Sequence, residues 1–219
     1  MSTSIENAGK NDVLKGCIIA TDEDKGVKYT FYIKDRKVVA ECRKSEENGK
    51  DIERWYNVDS QLHRDGDLPA VAEYDKKGQK TSEHWYRVGK KHRDGDLPAV
   101  IWYKNGQKTS EYWYRDGKYH RDGGLPAMIL YENGQKTSEH WHRDGKLHRD
   151  GDLPAVIWYK NGQKTSEEWY RDGAPYAPEK PNPIKDYLAE IEACYVKINK
   201  QHAKIAACLA KIREETAKK

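Results

Sequence analysis

The amino-acid sequence predicts a mainly β protein: an antiparallel ribbon of β-hairpins in 28-residue repeats, followed by one long C-terminal α-helix. Three observations predict it. Gly-Gln-Lys-Thr-Ser-Glu runs begin at Gly78, Gly106, Gly134 and Gly162, always 28 residues apart, and a fixed period in that range marks a repeat array. In the unit that starts at Leu97, Asn105-Gly106 and Asp116-Gly117 separate runs of β-branched and aromatic residues. Such pairs are the strongest short hairpin signal, because both turn residues take positive φ. Beyond a Pro-rich stretch, apolar residues then step by four and three, the period of a helix with one apolar face.

Taken in order, residues 1–14 are polar and expected to be disordered, and 15–62 read as degenerate capping repeats. "VVAECRKSEENGKDIERWY" (38–56) follows the pattern of "AVAEYDKKGQKTSEHWY" (70–86), and "YTFYIKDRK" (29–37) echoes "SEYWYRDGK". End units depart from the consensus because an end strand must survive without a neighbour. The array proper occupies 63–173. "LPAVIWYK" and "QKTSEYWYR" are the two strands of a unit. The following "KYHRDGGLPAMILY" is expected to be one long strand broken by a bulge at Asp122-Gly123, with Pro126 where pairing is already interrupted. Alternation puts Glu111, Trp113 and Arg115 on one face and Tyr112 and Tyr114 on the other. The Tyr112 position is His84, His140 and Glu168 in sister units, a freedom that predicts solvent. The Trp position never varies, so Trp55, Trp85, Trp113, Trp141 and Trp169 are expected to form a buried ladder.

Composition agrees with a thin sheet. Mean hydropathy is −1.09, yet there are 7 Trp and 15 Tyr against one Phe. Amphipathic rings suit side chains that are half wet. The net charge of +4 is concentrated in residues 184–219, where eight Lys/Arg face five Asp/Glu. The remainder is nearly balanced and lacks the basic stripe of a nucleic-acid binder. No apolar run approaches the ~20 residues of a membrane span. The N-terminus has no apolar signal region, and Cys17, Cys42, Cys194 and Cys208 form no C-x-x-C pair. A cytoplasmic protein with reduced thiols is the expectation.

His63-Arg64-Asp65 spells the start of a kinase catalytic loop, but the rest of that loop is absent. His-Arg-Asp-Gly also recurs at His92, His120 and His148. An enzyme holds its general base once, so four copies predict architecture. The pairs His63 and Asp65, His92 and Asp94, His120 and Asp122, and His148 and Asp150 are therefore read as structural corners, with no catalytic residue and no cofactor. No metal is expected either. Successive corner His residues, two strands apart, are about 9–10 Å from each other, too far to share one zinc ion. His140 and His142 are the only local His pair. Asp65-Gly66-Asp67 lacks the remaining ligands of a calcium loop, and its second Asp reads as dispensable, since one unit has Gly124 there.

Residues 174–183 form a Pro-rich linker and 184–219 a helix. Leu188, Tyr195, His202 and Leu209 fall at heptad position a, and Ile191, Ile198, Ile205 and Ile212 at d. Leu at a with Ile at d favours trimers or tetramers over dimers, so a homo-oligomer through 184–212 is expected. The rival expectation is intramolecular: at 1.5 Å per residue the helix is about 50 Å long, and ten strands at 4.8 Å span about 48 Å, so it could instead back the sheet.

The pattern "YxNGxxxxExWYxDGKxHRDGDLPA" resembles the MORN-type repeats, in a variant with a longer Leu-Pro corner similar to those of large DNA viruses. The resemblance covers about 29–173. It implies a Tyr/Trp-rich hairpin ribbon and a non-enzymatic scaffold for a protein partner, of virion or host cytoplasm if viral. Such repeats also occur in antitoxins that mask a toxin and in membrane-associated tethers.

Overall fold

The computed structural model describes residues 6–7, 17–178 and 183–216. The chain divides into two units, Met1–Tyr176 and Ala177–Lys219. The first contains a thirteen-stranded antiparallel sheet from Glu6–Asn7 to Gln163–Glu168, in which each strand pairs with the one before and the one after it. The sheet thus begins inside the stretch expected to be disordered, with Glu6–Asn7 on Ile18–Ile19; the rest of 1–16 lies outside the described residues.

The hairpin turns form as their residues dictate. Val100–Lys104 pairs with Gln107–Tyr112, and the two turn residues between them, Asn105 and Gly106, sit at φ 51° and 76°. The register then slips between Trp102, opposite Ser110, and Tyr103, opposite Lys108. Thr109 is the extra residue, and the bulge recurs in the hairpins of Met128–Glu132 and Val156–Lys160. The bulge was expected at Asp122-Gly123 instead.

The stretch expected to be one long strand, 118–131, is instead two short strands in different sheets with an irregular turn between them. Tyr114–Arg115 and Lys118–Tyr119 form a separate two-residue hairpin around Asp116-Gly117. Residues 120–127 then turn irregularly before the sheet resumes at Met128. Gly123 and Gly124 are both left-handed, at φ 72° and 68°, and Pro126 has no N–H, so the segment cannot hold a ladder. Each repeat therefore carries two hairpins, a long one in the main sheet and a short one outside it.

The core is a row of small clusters. Trp85, Ala99 and Ile101 pack with Tyr103 and Tyr114; Trp113, Ala127 and Ile129 pack with Tyr119 and Tyr131; Trp141, Ala155 and Ile157 pack with Tyr159 and Tyr170. A fourth cluster, Cys17, Cys42, Trp55 and Ala70, belongs to the capping repeats. Trp55, Trp85, Trp113 and Trp141 are buried, while Trp169, in the last unit, is only half-buried.

The face expected to be solvent is partly closed. In register across the sheet, His84 lies beside Val71 and Val100, and His140 beside Met128 and Val156. His84 is buried, its ring edge-on to Trp102 at 5.4 Å, and His140 meets Trp158 at 5.5 Å. Each Nε2 bonds a Ser Oγ on its own strand at 3.0 Å. Variation at this position thus follows the neighbours in the row rather than exposure.

The array closes with a substitute corner. Ala174–Pro175, the start of the expected linker, pair with Tyr170–Arg171. Tyr176 N–H then bonds Trp169 O at 3.1 Å, as His92 N–H bonds Trp85 O. The second unit is the helix Pro183–Thr216; Pro is well suited to the first turn. Residues 179–182 of the linker and 217–219 of the expected helix lie outside the described residues.

One turn breaks the repeat's own rule. Val88 holds φ 48° where its sisters Asp116, Asp144 and Asp172 hold 48°, 50° and 51°. A β-branched residue is strained there. Val88→Asp should stabilise the protein by about 0.5–1 kcal/mol, read as a higher midpoint in thermal unfolding. A lower midpoint would contradict the strain argument.

Candidate functional site: the row of corners

Each corner is built from the turn chemistry just described and is tied to the next. His92 Nδ1 accepts the backbone N–H of Asp116 at 3.2 Å, so in the neutral ring Nε2 carries the proton. It donates to Asp94 Oδ1 at 3.0 Å. The same pair of contacts recurs at His63 with Val88 N and Asp65, at His120 with Asp144 N and Asp122, and at His148 with Asp172 N and Asp150. Beside each, the turn Gly donates to a carbonyl of the same corner, as Gly117 N does to Lys91 O at 2.9 Å. The short hairpin of one repeat is thereby docked on the corner of the repeat before it.

The Arg of the motif was not singled out from the sequence, yet it holds the corner together. Arg93 lies over the Trp85 ring at 3.8 Å. Its Nη1 donates to Pro98 O, and its Nε and Nη2 form a fork on the Asp67 carboxylate at 2.7 and 2.9 Å. Arg121 repeats this on Trp113, Pro126 O and Asp96. The second Asp of the motif, read as dispensable, is therefore the clamp on the next repeat's Arg. Its wider signal in the sequence was the one unit that lacks it.

Charge follows these contacts. Arg93 holds Asp67, and Arg121 holds Asp96, below the ordinary carboxylate range. His92, with Arg87 behind it, does the same to Asp94. Arg115 and His120 lower Asp122, and His148 with Arg143 lowers Asp150. Both nitrogens of each corner imidazole have a hydrogen-bond partner. Among the described residues no group of three or more His, Cys, Asp and Glu is placed to hold a metal. His140 and His142 lie in different sheets: His140 faces Ser138 and Trp158, whereas His142 packs on Tyr119 at 5.0 Å.

Between successive corners the surface is indented. Three equivalent pockets, of about 440, 380 and 270 Å³, are walled by the His-Arg-Asp segments of two neighbouring repeats and floored by Trp85, Trp113 and Trp141 respectively. In the helix, Leu188, Ile191, Tyr195, Ile198, His202, Ile205, Leu209 and Ile212 are all exposed.

Burial pushes His84 and His142 down to about 4. Both are neutral in the fold while unfolded His, near 6.5, is charged. Between those values the unfolded chain binds more protons, so stability is complete above pH 6.5 and declines as pH falls towards 4. Below about pH 4 the lowered carboxylates add a second loss. The melting temperature should fall by roughly 5–10 °C from pH 7 to 4.5. Replacing both residues by Tyr, which sister units carry as Tyr112 and Tyr114, should flatten that descent. An unchanged slope in the double variant would assign the acid sensitivity to other groups.

Comparison of the chain with protein-family models, with curated proteins and with solved structures finds no match.

Proposed function

We propose that this protein is a non-enzymatic repeat scaffold. The hairpin array offers its row of corners to a protein partner, and the C-terminal helix gathers several copies. One observation carries the assembly half of this reading. With exposed His202, the residues Leu188, Ile191, Tyr195, Ile198, Ile205 and Leu209 keep strict four-three spacing along a 34-residue helix, and each of those six is at least half exposed. A long apolar stripe on a soluble helix marks an interaction surface, and this spacing suits knobs-into-holes packing between parallel copies. Leu at a with Ile at d points to three or four chains. The resemblance to MORN-type repeats agrees with a scaffold. So does the geometry of the corners, whose His residues, with Arg93 and Arg121, are occupied in binding one repeat to the next.

Gathering copies has a physical consequence for binding. Weak sites on each array become a multivalent surface, whose avidity exceeds single-site affinity by orders of magnitude when the geometry allows joint engagement.

Light scattering on the intact chain and on a 1–178 truncation tests the proposal. The intact chain should run as a trimer or tetramer, and the truncated array as a folded monomer. An intact monomer at micromolar concentration would overturn self-association through the helix.

A further inference from the structure

The three pockets between corners are equivalent in backbone but not in charge. In the first, Arg93 is forked on Asp67; in the second, Arg121 is forked on Asp96. In the third the place of that Asp is taken by Gly124. The backbone there is unchanged. Gly124 O still accepts the Trp141 indole N–H at 2.8 Å, as Asp67 O and Asp96 O accept those of Trp85 and Trp113 at 3.1 Å. Its φ of 68° lies in the same left-handed region as the 53° and 56° of Asp67 and Asp96. Only the carboxylate is missing.

Arg149 is therefore held in the clamp position without the clamp. It stacks on Trp141 at 3.7 Å and donates Nη1 to Pro154 O at 3.2 Å, like its sisters. Among the described residues, no carboxylate pairs with it. The nearby acids are committed elsewhere. Asp122 takes Arg115 and His120; Asp150 takes His148 and Arg143; Glu139 takes Lys136 and the Tyr159 hydroxyl; Glu167 takes Lys164. Burial accordingly lowers the pKa of Arg149. The first two pockets are each lined by three Arg and three Asp, whereas the third has three Arg and two Asp. It carries one net positive charge where its neighbours carry none.

We infer that the pocket over Trp141 is a binding site for a single carboxylate supplied from outside the chain, which takes the fork of Arg149 that Asp67 and Asp96 take on Arg93 and Arg121. The two sister repeats show the bound state, with each donor nitrogen of the fork 2.7–2.9 Å from its oxygen. A planar guanidinium already fixed on an indole gives up little freedom when it pairs, and two parallel charge-assisted bonds select a carboxylate over a neutral amide. The cavity, about 270 Å³, has room for an acidic side chain or a small free acid. The inference does not depend on whether the helix self-associates.

The substitution Gly124→Asp supplies the missing group from within. A Cβ built at Gly124 meets nothing within 4 Å, and the sister Asp residues occupy the same backbone conformation, so the variant should fold and be the more stable protein. The full chain, with ¹⁵N-labelled Arg, is titrated with N-acetyl-aspartate N-methylamide and with its Asn counterpart, following the Arg149 Nε–H resonance, assigned by its loss in Arg149→Lys. The wild type should show a saturable millimolar shift with the Asp compound. Gly124→Asp should weaken it at least tenfold, and the Asn compound should do no better than that. A flexible peptide with one central Asp, compared with acetate, separates the sources. Tighter binding of the peptide by tenfold or more assigns the site to a polypeptide partner, and equal binding assigns it to small free acids. No saturable response in the wild type, an equal response in Gly124→Asp, or an equal response to the Asn compound would overturn the inference.

Discussion

A sheet one layer thick must bury its apolar face without a second sheet, and the Trp at the end of each long hairpin meets that constraint. Its backbone N–H bonds the Ala carbonyl of the next strand, as Trp85 N does to Ala99 O. Its own carbonyl takes the N–H of the corner His, and its indole N–H reaches back to the carbonyl of the preceding corner. Its ring face carries the Arg of the corner. One residue thus joins the preceding corner, its own short hairpin and the next strand. The small clusters around successive Trp residues, with buried Val71, Val100 and Val156 outside them, each join neighbouring strands, which makes stability a sum of joints between neighbours.

Much of this was legible in the sequence. The 28-residue period, the Asn-Gly and Asp-Gly turns and the constant Trp gave the architecture, because each depends on local backbone chemistry that few residue types satisfy. What was misread depended on pairing partners. The segment from Lys118 to Tyr131 has a strand-like composition, but Gly123 and Gly124 in succession, with Pro126, turn it away from the ladder. His84 looked solvent-facing because its position tolerates Tyr, His and Glu. Its burial is set by Val71, Val100 and Trp102 on adjoining strands, whose register the bulge at each hairpin shifts.

The corners show the same division. The recurrence of the His and Asp could be read from the sequence alone. That each corner His accepts a backbone N–H from the following repeat, and that Asp67 and Asp96 hold the following repeat's Arg, could not. Those partners lie 24–26 residues away along the chain, and only the docking of one short hairpin on the corner before it brings them together. Conversely, the departure of one unit at Gly124 was visible in the sequence, but its meaning required knowing which cation it leaves without a carboxylate.

That missing clamp also sets where the ribbon gives way. In a linear array with neighbour-only coupling, thermal opening or mechanical tension is not shared evenly. It localises at the joint with the fewest bonds. The junction over Trp141 keeps its indole bond and its His120 link but lacks the ion pair that its counterparts possess. The ribbon is in effect two stiff segments meeting at one softer hinge, and a carboxylate seated on Arg149 would splint it.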